Sequence, residues 1–230
     1  MSAPARSLPA QTAQGRMENS VLGMILLVAL ETMLFSGMIG AYIVMRNMNA
    51  TWPPMNGPQL NLFTGSIATA VIVLSNLALA AASWLGRPRD AAEDSDALAR
   101  RRHKVHIAIM IALLLGAGFS IMQAQEWRLF THQGLLGYGV DMTPAPDGGF
   151  FTLLQWHMSR SAYGAFFFML TITHALHLWA GMIILAALAL RNQLWAKVGR
   201  LGTRLEVTVW FWHFIGVAWL FLYWLLYLQG

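Results

Sequence analysis

The chain has 230 residues, of which 57% are hydrophobic and 11% are charged, and its mean hydropathy is +0.52. This composition excludes an ordinary soluble domain and predicts an integral membrane protein. The formal net charge of +5 does not indicate nucleic-acid binding, because the Lys and Arg residues lie between apolar runs and form no continuous basic patch. Because the chain has no Cys, disulfides, thiolate-held metals and iron–sulfur clusters are excluded.

Five apolar segments are each long enough to cross a bilayer as a helix. Because lipid offers no partner to an open backbone, we predict an all-α, polytopic membrane bundle of five transmembrane helices. Residues 1–19 are predicted to form a disordered cytoplasmic tail, and residues 20–230 the transmembrane domain. The predicted spans are approximately residues 20–45, 61–85, 105–125, 162–190 and 205–228.

The basic residues are distributed unevenly between the two sides of the predicted bundle. The N-terminal tail and the second and fourth loops carry most of them, including Arg100, Arg101 and Arg102 in the second loop. Positive-inside bias therefore places the N-terminus in the cytoplasm and the C-terminus outside. The opposite side has only Arg46, Arg128 and Arg160.

Glu31 lies near the middle of the first span, on the same helix face as Tyr42. An acidic residue at this depth costs about 2.5–3.5 kcal/mol on the insertion scale, while each Leu, Ile, Val or Phe offsets about 0.3–0.6 kcal/mol. The span can therefore insert, and intramembrane carboxylates are functional or paired by default. Two interpretations stay open: a protonated Glu31 bonded to a neighbouring helix, or a role of Glu31 in proton movement.

The second and third spans carry small and mildly polar stripes that are typical of helix packing. The stripe of the second span includes Gly65, Thr69 and Asn76. In the third span Gln123 lies on the side of Trp127, and Glu126 is expected at the membrane edge, where a charge is unsurprising.

The loop after the third span contains the segment FFTLLQWHM, which is too short to cross a bilayer. This segment is expected at the membrane interface, as are Trp127 and Trp156. The loop's His132 and His157 are interpreted as surface histidines.

Histidines occur inside both of the last two spans. Steps of three and four residues give each span one distinctive face, and the face of the fourth span must meet protein, a cavity or a ligand. That face carries Tyr163, Phe167, Thr171, His174, His177 and Gly181, and the corresponding face of the fifth span carries Glu206, Trp210, His213, Val217 and Leu220.

The three histidines of these spans, His174, His177 and His213, have side chains of a type that binds iron, copper or zinc, and so does Glu31. The sequence has neither an HExxH motif nor the Glu-x-x-His pairs of di-iron bundles, and no flanking signal for haem. Polar residues satisfied inside the bundle or lining a lipid cleft are favoured. A membrane metalloenzyme built on His174, His177, His213 and Glu31, and a small proton conductor built on Glu31, stay as alternatives.

Several separated motifs agree with one family, and together they cover all five predicted spans. They are GMILLVALETMLFSGMIGAY, PQLN, FSIMQAQEW, YGAFFFMLTITHALHLWAG and VWFWHFIGVAWLFLYW, in chain order. The chain resembles subunit III of the haem-copper oxidases, the cytochrome c and quinol oxidases of respiratory membranes.

The resemblance implies a subunit without a redox centre of its own, in a bacterial-type plasma membrane. Such a subunit packs against catalytic subunit I, with subunit II as a further partner, holds phospholipids and supports proton uptake during oxygen reduction. Haem and copper are then expected in the catalytic subunit, and the isolated chain is expected not to be catalytic. A subunit-III-like component of a nitric oxide reductase system is the alternative.

The resemblance also assigns roles to residues of the five spans. The family's membrane carboxylate matches Glu31, and its Trp-His-Phe run matches residues 212–214. The predicted proton-linked or buried polar residues are Glu31, His174, His177, His213 and Glu206. The predicted lipid or subunit packing residues are Tyr42, Asn61, Gln123, Glu126, Tyr163, Trp212 and Phe214.

The chain departs from the family pattern at three places. Many members have seven spans, and this chain matches the last five. The loop ahead of the fourth span is longer than usual. Where the family usually has an acid after Trp-His-Phe, Gly216 follows Ile215, so the polar contact of that acid is missing.

Overall fold

The computed structural model describes residues 10–87, 95–133, 135, 144–194 and 201–229, with side chains described outside 10–18 and 191–204. Within these ranges the chain is helical and has no strand, and five of its helices are long and apolar enough to cross a membrane. The predicted all-α membrane bundle is therefore confirmed. The helices are α1 Ala10–Met48, α2 Leu62–Gly86, α3 Ser95–Thr131, α4 Phe150–Arg160, α5 Ala162–Leu194 and α6 Leu201–Tyr223, which continues as a π-helical turn over Trp224–Leu228.

Two helices extend well beyond the predicted spans. Helix α1 begins at Ala10, so it includes the second half of the predicted tail, and the disorder of residues 1–9 stays a prediction because they lie outside the described residues. Helix α3 begins at Ser95, which places Arg100, Arg101 and Arg102 on a helix and not in a loop. The cause is that Ala, Arg, Leu and Gln favour helix in water as well as in lipid, so a helix need not end at the bilayer boundary.

Helices α2, α3, α5 and α6 form the buried centre of the bundle, and α1 packs beside them against α5 and α6. In the most apolar stretch of 18 residues of α1, only 6% of the residues are buried, whereas the corresponding share in the other four spans is 28% to 50%. Helix α1 therefore presents most of its apolar surface outward. The short helix α4 packs on α5 and α3.

The start of α2 is fixed by the PQLN motif. Asn61 is the N-cap, and its Oδ1 accepts hydrogen bonds from the N–H groups of Phe63 at 2.9 Å and Thr64 at 3.3 Å. These bonds satisfy two of the backbone donors that the first turn of a helix leaves free. The N–H of Gln59 donates to Oε1 of Gln133 at 2.8 Å, which ties this start to the end of α3.

Three buried tryptophans donate their indole N–H groups to hydroxyl groups on neighbouring helices. Such bonds matter in a membrane protein because an unpaired donor finds no water in the hydrocarbon region. Trp212 is also enclosed by Gly116 and Gly181, where an added Cβ would meet its ring at 3.1 Å and 3.2 Å, so both helices must carry small residues there. The pairs are Trp212 with Ser75 at 3.2 Å, Trp219 with Thr69 at 3.0 Å and Trp127 with Thr171 at 3.0 Å.

Candidate functional site

Glu31 and His177 form a pair between α1 and α5. Oε2 of Glu31 lies 2.8 Å from Nε2 of His177, and the side chains are 20% and 17% exposed. Nδ1 of His177 donates to the carbonyl of Thr173 at 2.7 Å, so this nitrogen holds a proton. One further proton, held by either Nε2 or the carboxyl, makes the pair neutral overall. A neutral pair is far less costly inside a membrane than an isolated carboxylate.

Phe35 holds the Glu31–His177 pair against the bundle. Its ring is 5% exposed and contacts the imidazole of His177 edge-on, with centroids 5.4 Å apart. The same ring packs on Phe214 of α6 at 6.1 Å. Glu31 and Phe35 are four residues apart and share one face of α1, so they bring that face onto α5 and α6 together.

The other two intramembrane histidines have partners of their own. His174 is fully buried, and its Nε2 donates to the carbonyl of Ile215 at 3.1 Å. Nδ1 of His213 donates to Oδ1 of Asn76 at 2.9 Å. The candidate ligands therefore do not converge on one site, and in the described part of the chain no three His, Cys, Asp or Glu residues lie close enough to hold a metal ion. This geometry does not favour the metalloenzyme hypothesis.

Glu206 does not join these residues, although the sequence grouped it with the buried polar ones. Its side chain is exposed, because the face of α6 that also carries Trp210 and Val217 points away from the bundle. Trp212, on the other side of α6, is 1% exposed, and Phe214 is half-buried.

Glu126 belongs to a second group of polar residues, where α2 begins and α3 ends. It is 5% exposed, and its Oε1 accepts a long hydrogen bond of 3.5 Å from the N–H of Asn61. Gln123, one turn earlier on α3, is 3% exposed, and Tyr163 of α5 is 1% exposed. Helix α3 continues to Thr131, so Glu126 is inside the helix and covered by its neighbours, and its position at the membrane edge stays a prediction.

Tyr42 and Tyr163 are linked through Trp52, which lies in the connection between α1 and α2. The indole N–H of Trp52 donates to the hydroxyl of Tyr42 at 2.8 Å. The Trp52 ring packs edge-on against Tyr163, with centroids 5.3 Å apart. These contacts join α1 to the start of α5, and they place both tyrosines inside the chain rather than on a lipid-facing surface.

His157 is a buried residue that sequence reasoning assigned to the surface. Its side chain is fully buried, and Nε2 donates to the carbonyl of Thr131 at 3.1 Å. Burial lowers the pKa of His157, and the hydrogen bond to the Thr131 carbonyl opposes that shift. The cause of the burial is that α4 folds back on α3 and α5, which also covers Trp127 and Trp156. His132 is exposed, as interpreted.

Known proteins resemble this chain along almost its whole length. The family model for cytochrome c oxidase subunit III matches residues 151–230. Cytochrome c oxidase subunit 3 of Bacillus subtilis (strain 168) is 27% identical over 231 aligned residues, which cover 98% of this chain and 95% of the relative. These matches support the haem-copper oxidase subunit III family for this chain. The chain is accordingly a subunit of a multi-subunit oxidase and a multi-pass membrane protein.

Further relatives support the same family. The probable cytochrome c oxidase subunit 3 of Nocardia farcinica (strain IFM 10152) is 29% identical, covering 88% of this chain and 84% of the relative. The mouse cytochrome c oxidase subunit 3 is 28% identical, covering 90% of this chain but 69% of the longer mouse protein. These relatives are named as cytochrome c oxidase subunits, so the nitric oxide reductase alternative is not favoured.

The structure explains one departure of this subunit III from the family pattern. The side chain of Asn76 occupies the space next to Gly216, and a Cβ at Gly216 would meet Cγ of Asn76 at 2.8 Å. Nδ2 of Asn76 donates to the carbonyl of Ile72, and Oδ1 accepts from His213. The amide thus provides from α2 a polar contact beside Gly216, and it can do so because residue 216 has no side chain.

Proposed function

We propose that this subunit III packs against catalytic subunit I of a haem-copper oxidase, with subunit II as a further partner, and has no redox centre of its own. The observation that carries the proposal is the likeness to an oxidase subunit over 98% of the chain. Haem and copper are assigned to the catalytic subunit, where oxygen is reduced. The role of this chain is then to support proton uptake and to hold phospholipid.

The surface proposed for subunit packing is the outward side of α1. Large apolar side chains are exposed along it, among them Leu30 at 65% and Met33 at 73%. Gly37 and Gly40 face open space on the same helix, where a neighbouring helix could approach closely. The choice of subunit I as the occupant rests on the family resemblance.

The Glu31–His177 pair is the proposed proton-linked group. Its two arrangements, carboxylate with imidazolium and carboxyl with neutral imidazole, differ only in the position of one proton over the 2.8 Å gap. Such a pair can bind or move a proton without exposing net charge to lipid. His174 and His213 are bonded to backbone and amide groups, which supports a structural role for them.

A cavity of about 470 Å³ between the end of α3 and α4 is the proposed phospholipid site. It is lined by Arg128 in the last turn of α3, by His132 directly after that helix, and by the apolar side chains of Phe150 and Leu153. A cationic side chain beside an apolar wall suits a phosphate headgroup and the first part of an acyl chain. The cavity lies on the side that positive-inside bias assigns to the outside of a bacterial-type plasma membrane.

The experiment that tests the proton-linked role is proton uptake by the purified oxidase complex. Glu31→Gln is expected to slow proton uptake and to reduce the number of turnovers that the complex completes before it is inactivated. The haem content of the complex should not change. Thr32→Val is the matched control, because Thr32 is exposed and its hydroxyl bonds only its own helix at Val28. Equal uptake rates in Glu31→Gln and the parent complex would contradict the proton-linked role.

A further inference from the structure

Two buried polar atoms near the C-terminal end of α3 have no hydrogen-bond partner among the residues that the structure describes. They are Oε2 of Glu126 and Nε2 of Gln123, on side chains that are 5% and 3% exposed. Leaving a buried donor or acceptor unpaired costs about 1–3 kcal/mol, and buried polar groups in native proteins are bonded to protein or to ordered water. The two atoms therefore call for a partner that the described residues do not supply.

The chemistry of the two atoms selects that occupant. Gln123 and Glu126 are three residues apart on one helix face, where Cβ atoms lie about 5–6 Å from each other. The amide is a donor and the carboxylate an acceptor, so one water molecule can accept from the first and donate to the second. A bare cation would require acceptors alone, and an anion would require donors alone.

We propose that a buried water molecule bridges Nε2 of Gln123 and Oε2 of Glu126 at the junction of α2, α3 and α5. Oε1 of Glu126 is already used by the N–H of Asn61, which leaves Oε2 for the water. The phenols of Tyr163 and Tyr227 lie within electrostatic range of Glu126 and are candidates for the third bond that buried waters commonly make.

Aromatic residues pack near the site. Tyr227 lies so close over the start of α2 that a Cβ at Gly65 would meet its ring at 2.5 Å. Tyr163, at the start of α5, is 1% exposed. The carboxyl of Glu126 is thus hydrated within the protein, and the inference uses only contacts inside this chain, so it does not depend on the proposed function.

A structure of the purified protein, with whatever subunits accompany it, at a resolution that shows ordered water gives the direct test. We expect a density peak about 2.7–3.2 Å from both Nε2 of Gln123 and Oε2 of Glu126. The inference is overturned if the position is empty while equally buried waters are visible elsewhere. A peak at about 2.3–2.6 Å from several oxygens would indicate a metal ion and would also overturn it.

Infrared spectra of the parent protein and its variants provide the mutational test. Each protein is measured in water of two oxygen isotopes, and the difference between the two spectra shows the bands of bound water. We expect an isotope-sensitive water O–H band in the parent protein and in Gln125→Leu, an exposed position on the same helix, and loss of that band in Gln123→Leu. Gln123→Met, which is closer in shape, replaces Gln123→Leu if the latter does not assemble. An unchanged band in the assembled Gln123 variant, or no such band in the parent, would refute the bridging water.

Discussion

Asn76 on α2 occupies the space that a side chain at Gly216 on α6 would need. Its amide oxygen accepts a hydrogen bond of 2.9 Å from Nδ1 of His213, three residues before Gly216. A polar side chain of the neighbouring helix thus lies beside residue 216, and the two helices depend on each other at this point.

Gly216→Ala is expected to lower the stability of the protein by about 1–3 kcal/mol, the usual cost of overpacking a core. The new methyl group would displace the amide of Asn76 and break its bond to His213. The double variant Gly216→Ala with Asn76→Ala is expected to recover part of the loss, because the second change restores space. Thermal unfolding in detergent measures both, and equal stabilities of the single and double variants would disprove the packing relationship.

The Glu31–His177 pair predicts a non-additive pair of substitutions. Glu31→Leu and His177→Leu should each destabilise the protein, because each leaves a polar partner unpaired beside lipid. The double variant should be less unstable than the sum of the two, with a coupling of about 1–3 kcal/mol. A double-mutant cycle based on thermal unfolding measures this coupling free energy. Strictly additive losses of stability would show that the two side chains act independently.

The bond between Trp212 and Ser75 predicts a cost for a very small change. Ser75→Ala leaves the indole N–H of Trp212 without its acceptor and is expected to cost about 1–3 kcal/mol. Ser159→Ala is the control, since that hydroxyl bonds the carbonyl of Trp156 in its own short helix. If both variants unfold at the parent temperature, the Trp212 bond contributes nothing measurable.

The buried position of His157 predicts that the folded protein loses stability on acidification. Because burial lowers its pKa in the folded chain below the ordinary value of 6.5, protonation favours the unfolded state. The stability contributed by neutral His157 is therefore fully present above about pH 6.5 and is lost as the pH falls from there toward the folded-state pKa. Unfolding temperatures between pH 8 and pH 5 measure the effect.

The matched variants for this pH dependence are His157→Gln and His132→Gln. His157→Gln should flatten the acid side of the profile, whereas His132→Gln, at an exposed position, should not change it. A profile that flattens in His132→Gln, or stays steep in His157→Gln, would assign the pH dependence to other groups.

The sequence was sufficient for the number of spans and for the face of α5 that turns inward. Length and hydropathy determine the number of spans. The inward face of α5 follows from steps of three and four residues, because these steps place Phe167, Thr171 and His174 on one side of the helix. The partners of the polar residues were not accessible in this way. That Glu31 meets His177, and not His174 or His213, depends on how α1 is placed against α5 and α6.

Burial near the ends of the helices was the least predictable property. Glu126 was expected at the membrane edge because hydropathy marks the apolar core of α3 and not the end of the helix, which continues to Thr131. His157 was assigned to the surface because nothing in an eleven-residue helix indicates that it folds back onto α3 and α5. The burial of both residues depends on tertiary contacts between segments that are distant in sequence.

Purification of the tagged chain in mild detergent tests the central claim most directly. We expect a larger haem-bearing subunit to purify with it in fixed proportion, with the visible spectrum of the complex showing haem. After dissociation the haem should stay entirely with the larger subunit. Stoichiometric haem, iron or copper in this chain alone, or a chain that purifies without any haem protein from membranes that contain the oxidase, would contradict its assignment as a non-redox oxidase subunit.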